Sequence, residues 1–316
     1  AFADSKPHYV LLDGLRGVAA LLVIWYHVFE GFATSPIDQK FNHGYLAVDF
    51  FFILSGFVIG YAYDDRWKTM TVKDFIKRRV IRLHPMVVMG AVIGAVMFYF
   101  QGCPVWDVTK VTVAALLLAT FVNALLIPAT PGTEIRGLGE MYPLNGPSWS
   151  LFFEYIGNIL YALIIRKFST KALAVLVVAA GCGLAAFSIF GPYGDICAGF
   201  SLTGTEFTGG FFRLLYAFSA GLLLSRVFRP ARVRGAFWKC SLLVIILLAV
   251  PRLGGADRLW MNGLYDTICF ALFFPLIVYW GASGKITDRY TNRVCKFLGD
   301  ISYPLYMVHY PFIYLY

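Results

Sequence analysis

The sequence has few charged residues. Asp, Glu, Lys and Arg together make up 14% of the 316 residues, whereas hydrophobic residues make up 59%. The mean hydropathy of +0.68 lies far outside the range of soluble globular domains. This composition excludes a soluble fold and indicates a polytopic membrane protein.

Patterns of metal ligands are also missing. The cysteines form no CxxC pair and have no histidine at ligand spacing, so we expect no metal site and interpret them as small residues in helix packing. They are Cys103, Cys182, Cys197, Cys240, Cys269 and Cys295. No internal repeat or low-complexity tract is present, so we expect a single domain over residues 1–316.

A cleavage signal is not recognisable after the first apolar run. That run is longer than the hydrophobic core of a typical signal peptide and lacks a small-residue cleavage site, so we expect it to stay in the protein. The chain begins with Ala1 and stops at Tyr316 inside an apolar run. We therefore expect it to be part of a longer chain with at least one further C-terminal helix.

The chain does contain many apolar runs, and most of them are long enough to cross a hydrocarbon core of ~30 Å. They lie near 9–30, 44–63, 86–101, 108–128, 148–166, 171–190, 207–225, 237–250, 260–281 and 297–316. The sequence predicts an all-α, polytopic integral membrane protein with about ten transmembrane helices.

The net charge of +9 is concentrated in short loops. Residues 64–85 hold seven Lys or Arg against three acids, and residues 226–239 hold five against none. Because these charges do not cover one face of a soluble fold, we expect no nucleic-acid partner. The positive-inside rule places these loops, and with them the N-terminus, in the cytosol.

The number of crossings between two of the basic loops is odd. Three apolar runs separate the loop at 64–85 from the one at 166–171, although both loops should lie on the same side. Either one of these runs is re-entrant, since irregular backbone is tolerated where it lines a protein cavity, or the chain contains a further crossing. The Pro/Gly-rich stretch within 102–147 is the best candidate for a re-entrant segment.

Ionisable residues interrupt the first apolar run, "LLDGLRGVAALLVIWYHV". Arg16 and His27 are eleven residues apart, which is about three helical turns and places them on one face, ~16 Å apart along the axis. Asp13, three residues before Arg16, is the expected ion-pair partner. Because such residues are costly inside a bilayer, Arg16 and His27 are candidates for function, with His27 suited to acid–base work.

A basic cluster precedes the third run, in "KDFIKRRVIRLHP". Lys77, Arg78, Arg79 and Arg82 can be explained as cytosolic anchoring, but the guanidinium fork also matches phosphate geometry. We take His84, before Pro85, to be an incidental loop residue. The cluster is the candidate site for a phosphate-bearing ligand.

Other polar residues lie in later runs. Glu154 and Ser150 share a helical face in "NGPSWSLFFEYIGNILY", and the carboxylate needs a cation or donor, for which Arg16, Arg79, Arg82 and His27 all remain open. Asp49 and His309 also lie in apolar runs, and for each of them alone a structural role is the first interpretation.

Five segments, in this order, carry a family resemblance. They are "LDGLRGVAALLVIWYH", "GYLAVDFFFILSGFVIG", "RRVIRLHP", "GPSWSLFFEY" and "LGDISYPLYMVHYPF", spread over residues 12–312. Together they resemble the acyltransferase 3 family of integral membrane acyltransferases. The resemblance implies transfer of an acyl group, most often acetyl, from cytosolic acyl-CoA to a hydroxyl of an envelope or extracellular carbohydrate.

The resemblance also implies a bacterial cytoplasmic (inner) membrane location. It places the family's essential residues at Arg16, His27, Arg79 and Arg82. We expect CoA phosphates at the arginine cluster, His27 as general base, or less directly as acyl carrier, and Glu154 or Arg16 as partner of the imidazole or of the oxyanion. No metal is required.

Two other classes of function stay open on the sequence. A transporter or flippase would share the helices and basic loops without performing chemistry. An acyltransferase acting on a small molecule or a lipid would share the catalytic residues. The sequence does not predict the acyl length or the oligomeric state.

Overall fold

The structure, a computed structural model, describes residues 6, 8–100, 108–130 and 133–313. Cys103 and part of the predicted re-entrant stretch lie outside these ranges. Within them the chain is helical and has no β-strand, only an isolated antiparallel bridge between Glu140 and Ser201. The predicted all-α class is confirmed.

The α-helices in the described ranges follow the apolar runs. They are α1 (Val10–Phe32), α2 (Ala47–Tyr63), α3 (Val72–Phe100), α4 (Val113–Ala124), α5 (Ser148–Leu163), α6 (Thr170–Phe190), α7 (Gly204–Val227), α8 (Ala236–Ala249), α9 (Trp260–Ile268), α10 (Phe274–Ser283), α11 (Arg289–Val308) and α12 (Tyr310–Ile313).

Seven helical segments within the described residues are long and apolar enough to cross a membrane. They are Val10–Phe32, His43–Tyr63, Val72–Phe100, Ser148–Lys167, Thr170–Phe190, Gly204–Val227 and Trp260–Ser283. The chain is thus an integral membrane protein by composition and helix length, with seven rather than about ten segments meeting both criteria. The predicted runs at 108–128 and 237–250 form the shorter helices α4 and α8.

Helix α3 differs from its prediction at the N-terminal end. It begins at Val72, so the basic cluster and His84 lie in the helix, and the prediction of a loop at His84 is wrong. Lys77 is exposed and Arg78 half-buried, so the helix extends beyond the apolar run without burying its full charge. Pro85 lies inside α3 and is accommodated there.

Proline also marks the break between α9 and α10. A short π-helical segment, Cys269–Phe273, joins them, and Pro275 follows at the start of α10. Pro275 has no N–H to donate to the preceding turn, so the helical ladder loses one hydrogen bond here, and the π-helical segment lies directly before that gap. The two helices nevertheless form one apolar segment.

Close helix pairs hold the functional helices in place. Helix α1 packs most extensively on α11, and α2 on α7. A Cβ atom on Gly17 would lie 2.3 Å from the Leu298 carbonyl oxygen, and one on Gly56 would lie 2.1 Å from that of Phe218. Small residues therefore allow the backbones to approach, as at many membrane helix contacts.

Candidate active site

Two cavities lie along helix α1, one near each of its predicted site residues. The first, of about 120 Å³, is lined by Arg16 and is called the arginine cavity. The second, of about 140 Å³, is lined by His27 and is called the histidine cavity. The structure thus places Arg16 and His27 in two different cavities along one helix, as their spacing predicts.

Helices α1 and α3 bring cations to the arginine cavity. Arg16, Arg79 and Arg82 line it, with Glu154 as the carboxylate among its lining residues. Because cations outnumber acids on these walls, the cavity favours an anionic ligand. Lys77 is not among the residues that line it.

Glu154 has its partners in the arginine cavity. Arg79 Nη2 donates to Glu154 Oε1 at 2.7 Å, and Ser55 Oγ donates to the same oxygen at 2.8 Å. Asn158, one turn further along α5, donates to the backbone carbonyl of Glu154. Of the four partners open in the sequence, the structure brings Arg79 into contact with this carboxylate.

The other two arginines of the cavity differ in their partners. Arg16 Nη1 donates to Asp13 Oδ1 at 2.8 Å, which confirms the ion pair expected from their spacing. His8 Nε2 lies 3.0 Å from the other Asp13 oxygen. Arg82 is exposed and forms no hydrogen bond or ion pair within the described part of the chain. Its donors remain available to a ligand.

His27 is held by a residue of its own helix. Its Nδ1 donates to Glu30 Oε2 at 2.7 Å, which leaves Nε2 as the acceptor of the neutral ring. The ring lies with its centroid 4.7 Å from that of Tyr310 and 5.4 Å from that of His309. This arrangement fixes both the tautomer and the orientation of the imidazole.

His309 is buried beside His27. Its Nδ1 donates to the Tyr306 carbonyl at 2.8 Å, and its Nε2 is buried without a hydrogen-bond partner in the described structure. His309 is the residue that follows α11, so the α1–α11 contact sets the spacing of the two rings. The structure thus brings together two histidines that the sequence separates by 282 positions.

The histidine cavity is rich in aromatic side chains. Tyr26, Tyr45, Trp149, Phe200 and Tyr310 line it. The Arg213 guanidinium lies 5.0 Å from the centroid of the Trp149 ring. Flat apolar rings beside a few polar groups are the usual lining of a small-molecule binding site.

Asp49 belongs to the wall of this cavity through Arg213. Arg213 donates to both Asp49 oxygens, at 3.1 and 2.7 Å, and also to the Tyr45 and Ala198 carbonyls. Both side chains are almost fully buried. Each Asp49 oxygen thus accepts a hydrogen bond from Arg213, which agrees with a structural role for Asp49.

Cys197 also lines the histidine cavity, so it could be considered as an acyl carrier. Burial raises the pKa of its thiol, and the nearby Asp195 carboxylate raises it further. A thiol held protonated is a poor nucleophile. No cluster of three or more His, Cys, Asp or Glu side chains that could hold a metal ion occurs in the described ranges.

Two residues line both cavities, namely Val48 of α2 and Tyr306 of α11. The Tyr306 hydroxyl and Ser150 Oγ are hydrogen-bonded at 2.7 Å. Ser150 thus lies at the boundary of the two cavities, where the sequence predicted only a polar face of α5.

Sequence reasoning missed Glu30, Arg213 and Tyr306. Glu30 could have been found, because it lies three residues after His27 and so on the same helical face. Arg213 was visible as a charge within the apolar run at 207–225. Tyr306 carried no sequence signal, since its place between the cavities depends on how α11 packs.

Comparison with known proteins gives a family match over almost the whole chain. The family model described as an acyltransferase domain matches residues 9–316. Protein 2 in the picA locus of Rhizobium radiobacter is 37% identical over 168 residues, which are 51% of this chain and 84% of that protein.

Two further relatives carry an activity in their names. A protein of Staphylococcus aureus strain COL that is named "Putative O-acetyltransferase" is 25% identical over 98% of this chain and 51% of its own length. The acyltransferase MdmB of Streptomyces mycarofaciens is 29% identical over 51% of this chain and 41% of its own length. The chain thus spans about half the length of the staphylococcal relative. No solved structure matches it.

Proposed function

The chain belongs to the acyltransferase family whose model matches residues 9–316, and from this premise we propose that it transfers an acetyl group from cytosolic acetyl-CoA to a hydroxyl of an envelope or extracellular carbohydrate. The membrane helices and the family support a membrane-bound acyltransferase. The observation that carries the finer proposal is the placement of three arginines and a carboxylate-held histidine in adjacent cavities along one helix.

The arginine cavity is proposed as the donor site. Arg16, Arg79 and Arg82 provide guanidinium groups for the phosphates of CoA, with Arg82 the group whose donors are unused within the described structure. Arg78 and Lys77 lie outside the lining and act through their field at the cytosolic end. Glu154 is proposed as a positioning residue, because it holds Arg79 by a 2.7 Å hydrogen bond.

The histidine cavity is proposed as the site of the chemistry. An acceptor hydroxyl gives its proton to His27 Nε2 while its oxygen attacks the thioester carbonyl carbon. The C–S bond then breaks, the ester forms, and the proton passes from His27 to the CoA thiolate. Glu30 accepts from Nδ1 and stabilises the imidazolium that forms, in the manner of a catalytic triad's acid.

The remaining groups near His27 position the reactants. His309 packs beside the imidazole, and Asp49 holds Arg213 against Trp149 in the proposed sugar-binding wall. Asp13 holds Arg16 in the same way.

The proposed topology has the N-terminus in the cytosol of a bacterial cell and about ten membrane-embedded segments. Helix α4 has 12 residues and rises only ~18 Å, less than the ~30 Å hydrocarbon core. We propose that α4 and the following chain to residue 147 form a re-entrant element. Acetyl groups then pass from a cytosolic donor to an acceptor on the outer side.

The test is transfer from labelled acetyl-CoA, supplied at the cytosolic face of sealed membrane vesicles, to the envelope carbohydrate. We expect label in the carbohydrate with the parent protein and a loss of at least ~100-fold with His27→Ala, since a general base contributes ~10²–10⁴. The matched control is His84→Ala on α3, which lines neither cavity and should keep the parent rate.

Three results would contradict parts of the proposal. If acetyl-CoA is consumed but the label appears only in a small molecule or a lipid, the carbohydrate acceptor is rejected. Movement of intact acetyl-CoA or glycan without ester formation would identify a transporter. Equal transfer by His27→Ala and the parent would reject the general base.

A further inference from the structure

The two cavities are separated by single residues at two positions. Val48 and Tyr306 each line both the arginine cavity and the histidine cavity. Each is 6% exposed, so neither opens to solvent or lipid. Any direct route from one cavity to the other therefore passes these two side chains, and we call this route the passage.

Tyr306 is fixed from two sides. Its hydroxyl is hydrogen-bonded to Ser150 Oγ at 2.7 Å, and its ring lies edge-on to the ring of Phe51, with the centroids 5.5 Å apart. Ser150 in turn donates to the Pro147 carbonyl at 2.9 Å, at the start of α5. The aromatic side of the passage is thus held by α2, α5 and α11 together.

The other residue that lines both cavities, Val48, has a branched aliphatic side chain. Val48 has one strongly preferred rotamer in a helix, so its methyl groups cannot swing away as those of an unbranched chain can. Packed interiors resist the insertion of even one extra methyl group. A passage between a fixed tyrosine and a stiff valine therefore limits the width of what passes.

We propose that Val48 and Tyr306 form the aperture that selects the acyl group by its cross-section. This inference rests on the proposed function, in which the acyl end of the donor moves from the arginine cavity to His27. An unbranched acyl group presents the same cross-section at each carbon and passes. A group branched at the carbon next to the carbonyl presents an extra methyl and is rejected, although its mass is the same.

Butyryl-CoA and isobutyryl-CoA test this directly, because they are isomers that differ only in branching. In the vesicle assay we expect the parent protein to transfer butyryl at least ~10-fold faster than isobutyryl, the range of discrimination that one methyl group provides. Val48→Ala widens the aperture and should bring this ratio close to 1. Val48→Ile narrows it and should raise the ratio above the parent value.

The control is Val58→Ala, the same truncation on the same helix. Val58 lines the arginine cavity but not the histidine cavity, so its truncation leaves the ratio of the two isomers at the parent value, whatever its effect on the rate for each. An equal ratio in the parent, Val48→Ala and Val48→Ile proteins would overturn the aperture. If Val48→Ala does not fold, Val48→Ile decides, because an unchanged ratio there also overturns it.

The acetyl-CoA reaction separates this inference from the proposed function. A parent protein that transfers acetyl but does not distinguish the isomers rejects the aperture and keeps the acyltransferase. A parent protein that transfers no acyl group from any CoA ester rejects both.

Discussion

At the scale of single residues, the pair formed by His27 and Glu30 is the smallest unit to which a catalytic role can be assigned. Their 2.7 Å contact joins residues of one helical turn, so it needs no tertiary structure beyond α1. Its placement in a cavity does depend on α11, whose C-terminal end brings His309 against the imidazole.

Glu30→Gln should lower kcat while leaving the KM for acetyl-CoA unchanged. The amide oxygen can still accept from His27 Nδ1, but the negative charge that stabilises the imidazolium is lost. We expect a fall of ~10-fold or more in kcat, measured by steady-state acetyl transfer. The control is Asp38→Asn, which replaces an exposed carboxylate beyond the end of α1 and should leave both constants unchanged. A raised KM with the parent kcat would place Glu30 in donor binding instead.

Arg82→Lys should raise the KM for acetyl-CoA and leave kcat nearly unchanged, the reverse of the pattern expected for Glu30→Gln. Lysine keeps the charge but loses the fork that binds a phosphate through two hydrogen bonds. We expect the KM for acetyl-CoA to rise ~10-fold, equivalent to ~1.4 kcal/mol, with little change in kcat. The matched control is Arg229→Lys, in an exposed loop that the proposed topology places in the cytosol, and it should change neither constant. Equal KM values for the two variants would exclude Arg82 from the donor site.

The sequence indicated most of the residues proposed for the chemistry, but only part of their pairing. The Asp13–Arg16 pair followed from helical spacing, and His27–Glu30 could have followed in the same way. Pairs between helices were not predictable, because Glu154 had four possible partners and Arg213 had no assigned one. Periodicity defines a face of a helix, whereas the neighbour of that face depends on tertiary packing.

At the scale of elements, the α1–α11 contact connects stability with catalysis. Helix α1 carries Arg16 and His27, and α11 carries Tyr306, so a shift between the helices changes both the imidazole site and the wall between the cavities. Gly17 is at the centre of this contact, where a Cβ atom would overlap the Leu298 carbonyl.

Gly17→Ala should therefore destabilise the protein and lower its activity. Overpacking of a tight contact costs ~1–3 kcal/mol, and backbone cannot move aside as a flexible side chain can. The measurement is thermal unfolding in detergent together with acetyl transfer. Gly31→Ala, near the end of the same helix, has no atom within 4 Å of the new Cβ and should leave both unchanged. Equal melting temperatures for the two variants would show that the helices separate without cost.

Element boundaries show where hydropathy is a good guide and where it fails. The runs at 171–190 and 260–281 match α6 and the segment Trp260–Ser283 closely. Helix α3 begins 14 residues before its apolar run, because an apolar run marks only the stretch suited to the bilayer, whereas the helix also includes charged turns outside that stretch. Helix α4 is shorter than its run for the converse reason, since apolar residues also occur in the non-helical chain after it.

At the scale of the whole molecule, the proposed re-entrant element allows the basic loops before α3 and after α5 to lie on the same side of the membrane. In this proposal helix α3 leaves a basic loop on the cytosolic side, and α5 returns to the basic loop at residues 166–171. The chain between α3 and α5 must then begin and end on the outer side. Glu140, within this stretch, lines the histidine cavity and bridges to Ser201. Residues 191–203 contain no Lys or Arg, so the positive-inside rule predicts that the loop holding Ser201 also lies outside.

Labelling from one side of the membrane tests this arrangement. In a background without the native cysteines, Lys110→Cys before α4 and Leu138→Cys after it should both react with an impermeant maleimide added to intact cells. Lys68→Cys, in the cytosolic basic loop, should react only after the membrane is opened. All three positions are exposed, so differences in labelling report the side of the membrane and not burial. Protection of Leu138→Cys equal to that of Lys68→Cys would mean that α4 crosses the membrane. It would then place Glu140 on the cytosolic side, and with it the histidine cavity, so the acceptor would have to be a cytosolic molecule.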